Sequence, residues 1–371
     1  MYSDFRAYLF SIPTATQIEV VLGDGTALDP KSEPVASGWN SGSLDERGDI
    51  DENILAYITQ NISNEDMRVR FIRLWIAIEK SIAKDDIRAG MVDPKKEKTI
   101  LKIFVAPEFY FVPMMRRSPY LNPTPRVGYY SEAEFKELYD VTAHLLGNYS
   151  DYHEGRQLKD WIFLCGTCVF NQKVPGPRRE PLLKNVMIAV GLGKAHKERR
   201  KIRKMVTAQI DGISNREDFN ECRYRGVGLA ELKRHYFQQF QLFVEICLEH
   251  FNGLYMTANT IWQLKNKSLR VRFQVISAAG VEVKWNNVSP DMHVIRNDGY
   301  RAVDLQSAMT MVADYSRDKF IRLRLFTEGM FVQRPWKDIS VDDYYEVLGY
   351  TRGFDVLTQR GDTMTPVVLV Y

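Results

Sequence analysis

Three reactive side chains share one local setting: each stands at the end of an apolar, strand-like run. Glu108 follows Leu101–Ala106 and Pro107, with Phe109, Tyr110 and Phe111 beyond it. Such surroundings partly desolvate a carboxylate and raise its pKa toward the range useful in general acid–base work. The alternative is a strand-end glutamate that caps a turn. Lys204 closes the segment Arg200–Lys204 (RKIRK) within the basic run 194–204. Held in a site, its ammonium would stabilise a developing oxyanion; otherwise the run is a solvated face. Cys247 ends Gln241–Cys247 (QLFVEIC). At a helix start or beside a cation its thiol would favour the thiolate; the alternative is an inert buried cysteine. Ligands in α/β folds gather at the carboxyl ends of strands, which is where all three residues fall.

Other candidates carry less. Cys165 and Cys168 form a C-x-x-C inside the apolar run Trp161–Phe170, with no second pair to complete a zinc site and no following helix. Core packing is expected of both. Cys222 sits in a polar stretch. The six histidines show no metal spacing. His250, three residues after Cys247, is assigned a supporting role, since the partner of a nucleophilic cysteine normally comes from far along the chain. Asp291 and His293 read as strand or turn residues. Gly191 and Gly193 fail as a dinucleotide motif because a basic segment follows them.

These groups need elements to hold them. Residues 64–84 read as an amphipathic helix, with Met67, Phe71, Leu74, Trp75, Ile78 and Ile82 at spacings of three and four. Ser131 and Glu134 form a capping box that opens a helix carrying Phe135, Leu138, Val141 and Leu145. Strands are expected at 101–106, 161–170, 185–190, 200–206, 241–247, 269–277, 281–285, 320–326 and 366–371, and a helix over 229–239. Several adjoining strands leave no room for a crossover helix, so the expected class is α/β with a mixed sheet. Residues 24–53, rich in Gly, Ser, Pro and Asp, read as a long surface insertion. Because 108, 204 and 247 must meet in one site, most of residues 1–371 are expected to form one domain, with the 24–53 loop, a lid over 113–130 and an extension from about 300 to 371. Arg116, Arg117 and Arg126 in that lid are candidates for a substrate carboxylate, or else are exposed.

Composition narrows the field. The chain has 371 residues, is 45% hydrophobic and 26% charged, and carries 50 basic against 47 acidic side chains, a net charge of +3. That balance argues against nucleic acid or an anionic membrane as a general partner. No apolar run reaches the roughly 20 residues of a membrane span, and no signal peptide is read at the start. Four cysteines make no disulfide framework, so a reducing, cytoplasmic setting is expected.

FVAPEFYF around Glu108, NVMIAVGLGK leading to IRK at Lys204, and VEICLEH around Cys247 together resemble the nitrilase, or carbon–nitrogen hydrolase, superfamily in order and spacing. The strands WIFLCGTCVFN and VISAAG are similar to family strands as well. The resemblance covers roughly residues 65–300. It implies a four-layer α-β-β-α sandwich, a homodimer or higher homo-oligomer, no metal and no organic cofactor. It also implies a small-molecule amide or nitrile substrate, split through a thioester on Cys247. Glu108 would then be the proton carrier, and Lys204 with the backbone N–H of Leu248 would face the oxyanion. Phe109 and Tyr110 would line the site, and Glu221 would be the second glutamate many members use. Leu248 departs from the family's usual aromatic, and Lys201 is the alternative lysine. The competing classes are an inactive binding protein on the same scaffold, an N-acyltransferase, and a nucleic-acid binder using residues 194–204.

Overall fold

The computed structural model describes residues 2, 4–10, 50–113, 129–172, 182–206, 229–264, 269–279, 281, 287–288, 292–298 and 308–312. The chain is α/β, with two mixed sheets flanked by helices. The first sheet has the order β1 (Asp4–Leu9), β2 (Ile100–Ala106), β4 (Trp161–Gln172), β5 (Leu182–Leu192), β6 (Lys197–Arg203), with the short β3 (Tyr130–Ser131) also on β4. The pairs β1/β2 and β2/β4 are parallel, and β4/β5 and β5/β6 are antiparallel. The second sheet runs β11 (Ala308–Val312), β10 (His293–Asp298), β9 (Phe273–Ala278), β8 (Leu242–Ile246), β7 (Tyr236–Phe237). Its three central strands are parallel and its two edges antiparallel.

The apolar runs form strands because both of their faces are covered, which is how a parallel strand reads in sequence. All of β2 is buried, including Lys102, whose ammonium meets Glu97 at 3.0 Å. Residues of both sheets share one apolar core, where Phe5 of β1 packs edge-on against Phe273 of β9 at 5.3 Å. Polar ties also cross between the sheets. Asn297 donates to the carbonyls of Phe10 and Val105, at 3.0 and 2.7 Å, and Ser277 Oγ donates to the carbonyl of Ala106 at 3.1 Å. Buried carbonyls need such donors, and these three sit where β1 and β2 end.

Helices α1 (Glu52–Asn61), α2 (Glu65–Ala89) and α3 (Glu132–Gly147) cover the first sheet through one stripe each. The capping box at Ser131 and Glu134 forms as expected. Among the described residues, no helix is long and apolar enough to cross a membrane.

Several boundaries differ from the sequence reading. The insertion does not reach 53: Asp51 caps α1 by accepting from the N–H groups of Asn53 and Ile54. The helix expected over 229–239 stops at His235 as α4 (Leu229–His235), and the chain turns directly into β7. Arg200 is the physical reason, because its guanidinium binds the carbonyls of Lys233, Arg234 and Tyr236, which a longer helix would use itself. Within the expected C-terminal extension, β11 pairs with β10, and the rest of 300–371 lies outside the described residues. Most of 281–285, and all of 320–326 and 366–371, lie outside the described residues.

Candidate functional site

The turn after β2 carries Glu108 inward. It can lie close to β4 because β4 bulges between Leu164 and Thr167, with Gly166 at φ +77°. A Cβ on Gly166 would come within 2.8 Å of Tyr110 Cβ and 2.9 Å of the Pro107 carbonyl, so only glycine admits this approach. Thr167 then accepts the N–H of Phe109 at 2.8 Å, and Phe109 itself sits at φ 58°. Positive φ in a bulky residue is strained.

Glu108 is fully buried. Its Oε1 accepts from Lys204 Nζ at 2.6 Å and from Asn185 Nδ2 at 3.0 Å. Lys204 stands just past the end of β6 and is 1% exposed. Its backbone N–H is held by the carbonyl of Asn185, and its ammonium lies 5.4 Å from the Phe109 ring centre. Asn185 of β5 therefore fixes both members of the ion pair, a role the sequence reading missed. The alternative lysine, Lys201, is on the opposite face of β6, exposed, with its ammonium over the Tyr139 ring at 4.1 Å.

Cys247 directly follows β8 at φ 50° and ψ −107°, a strained elbow between strand and helix. Its N–H donates to the Ser277 carbonyl at 2.9 Å, and its carbonyl accepts from His250 N at 3.0 Å. The thiol interacts with both the Glu108 carboxylate and the Lys204 ammonium. The three side chains thus converge.

The thiol does not behave as the sequence suggested. Burial, and then the Glu108 charge, push Cys247 well above the ordinary thiol range, and the opposing pull of Lys204 does not compensate. The helix expected to favour a thiolate is one turn, Leu248–Phe251 (α5), and supplies little dipole. Cys247 therefore rests as a thiol beside a carboxylate, an arrangement that suits proton transfer at the moment of attack.

A second missed residue is Glu249. Its carboxylate is fully buried and bridges two backbone N–H groups, that of Met205 at 2.6 Å and that of Ile246 at 2.7 Å. These residues adjoin Lys204 and Cys247, so one side chain clasps the two segments together. Burial raises Glu249 well above the ordinary carboxylate range despite both donors. A glutamate two positions after the cysteine was visible in the sequence, but its long-range partners were not. His250 has the supporting role expected: its Nδ1 meets Glu245 at 2.7 Å, and Gln274 and Tyr255 N donate to the same carboxylate.

The remaining candidates divide. Phe109 borders the ion pair, and Leu248, partly buried, packs on the core beside the elbow. Tyr110 does not join the site. Its hydroxyl donates to the Arg70 carbonyl at 2.8 Å, and its ring packs on Phe10 and Phe111. Cys165 and Cys168 are free, fully buried core residues, as expected. Glu221, Cys222, Arg116, Arg117, Arg126, Asp291 and most of the lid lie outside the described residues. His293 opens β10 as a strand residue. The basic run is largely used by the fold: Lys197 binds the Gly147 carbonyl at the end of α3, and Arg200 terminates α4. Among the described residues, no group of His, Cys, Asp and Glu is arranged to hold a metal ion. No protein-family model, curated protein or solved structure matches the chain.

Proposed function

We propose that the chain is a thiol hydrolase of non-peptide carbon–nitrogen bonds in small amides or nitriles, built on a nitrilase-like four-layer scaffold. One observation carries the reading: a strained cysteine elbow delivers a buried thiol to a carboxylate that is already bound to a buried ammonium. Each group answers a need of the reaction. For an amide, the Cys247 sulfur attacks the carbonyl carbon while Glu108 takes the thiol proton. Lys204 faces the negative oxygen of the tetrahedral intermediate. Glu108 returns the proton to the departing amine, leaving a thioester on Cys247. Glu108 then takes a proton from water, whose oxygen attacks the thioester carbon, and the acid leaves as the thiol re-forms. Loss of one oxyanion donor in such a site typically costs about a hundredfold or more in rate.

The test pairs mass spectrometry with turnover on a library of primary amides and nitriles. A hydrolysed compound should leave an acyl adduct on Cys247, and Cys247→Ala should abolish both adduct and turnover. Turnover that survives in Cys247→Ala would rule the reading out.

A further inference from the structure

We propose that the outer face of the first sheet, beside the start of α3, binds a small anion, a phosphoryl or carboxylate compound. This surface is separate from Cys247, and the inference does not depend on the hydrolase reading.

Strand register builds the site. Val186 pairs with Arg203 and Lys184 with Phe170, and side chains two residues apart share a face. Phe170, Lys184, Val186, Lys201 and Arg203 therefore stand on one face of β4, β5 and β6. Together with Phe135 of α3 they line a groove of about 740 Å³, a volume in the range of small-molecule sites. Arg234 of α4 closes one side and Glu132 another. Phe135 and Phe170 stack at 4.2 Å and are themselves buried, so they back the groove without presenting an open ring face.

The charge is unbalanced. Lys184 and Arg203 are diagonal neighbours on this face, within reach of each other as long side chains, and their like charges repel. Among the described residues, neither forms an ion pair. Two acids lie near: Glu132, which accepts from Gln172 at 2.9 Å, and Glu231, which meets Arg234 at 3.1 Å; both attract the Lys184 amine, but neither forms an ion pair with it among the described residues. Burial, and then the Arg203 charge, hold the Lys184 amine below its ordinary value. An anion in the groove would bind both cations.

The experiment is calorimetric titration at low salt with phenyl phosphate, benzoate and neutral benzamide. A dissociation constant of about 1 mM or tighter is expected for at least one anion and not for benzamide. The better anion identifies the ligand class. Arg203→Glu and Lys184→Glu should each weaken binding tenfold or more, since one charge-assisted hydrogen bond is worth at least about that factor. Lys201→Ala, at an exposed position, should weaken it less and guards against a folding defect in the other two. Lys95→Glu, the same charge change on an exposed residue of a different segment, should leave it unchanged. No saturable binding of either anion up to about 10 mM, equal binding of benzamide, or an equal loss in Lys95→Glu would overturn the proposal.

Discussion

The Glu108–Lys204 pair can be weighed by unfolding alone, with no substrate in hand. Both side chains are fully shielded and their charged atoms are 2.6 Å apart. Removing one member of a buried pair strands the other charge and typically costs about 3–5 kcal/mol, whereas replacing both costs less than the two single losses together. Lys204→Met leaves Glu108 with Asn185 at 3.0 Å as a remaining donor, so its loss should fall at the lower end, about 3 kcal/mol. Glu108→Gln strands the ammonium against an amide oxygen and should cost about 3 kcal/mol by the same reasoning. The single losses then total about 6 kcal/mol, and the double variant Glu108→Gln/Lys204→Met should lose only about 3, a coupling of about 3 kcal/mol. Urea unfolding at pH 7, with the slope m unchanged across the four proteins, measures all of these values. If the singles add to within about 0.5 kcal/mol in the double variant, the sites are independent by the usual standard, and the buried pair assigned here does not exist in solution.

Two further outcomes follow from single groups. Glu249→Gln keeps one acceptor but turns an amide N–H₂ toward the other backbone N–H, so urea unfolding should show a loss of about 1–3 kcal/mol. Because the clasp joins the Lys204 and Cys247 segments, turnover of any substrate found should fall in kcat more than in KM, and a wild-type kcat would refute the clasp. His293 packs against the Phe5 and Phe273 rings, at 4.9 and 5.6 Å, and burial pulls its pKa down from 6.5 to about 4. Its folded value lies below its unfolded one, so its contribution is complete above pH 6.5 and is lost as pH falls toward 4, with a slope of at most about 1.4 kcal/mol per pH unit. His235 is shifted in the same direction by burial. His293→Phe should therefore flatten, without abolishing, the stability profile between pH 6.5 and 4, and an unchanged slope would contradict the assignment.

What the sequence disclosed depended on how far away each residue's partners lie. The Ser131–Glu134 capping box closes within one turn, so its signature is self-contained and the helix starts where expected. Strands β2 and β4 are covered on both faces, and full coverage writes itself as an unbroken apolar run. The end of α4 is set instead by Arg200, some thirty residues earlier, and nothing in Leu229–Gln239 announces it. The end of the insertion was local but was masked by composition: Asp51 is a cap, yet it follows a stretch so rich in Gly, Ser and Asp that one more acid carried no contrast.

The site divides along the same line. Glu108, Lys204 and Cys247 can be nominated because a reactive group just past an apolar strand contrasts with its neighbours. Asn185 and Glu249 cannot, because each gains its role only from a partner on another strand: Glu108 for one, Met205 for the other. The protonation of Cys247 is more distant still. Its sequence neighbours argue for a thiolate, but the carboxylate and the burial that decide otherwise come from β2 and from the packed sheets. Reactive residues are thus legible from contrast, whereas the groups that aim them and set their charge belong to contacts that exist only once the sheets have met.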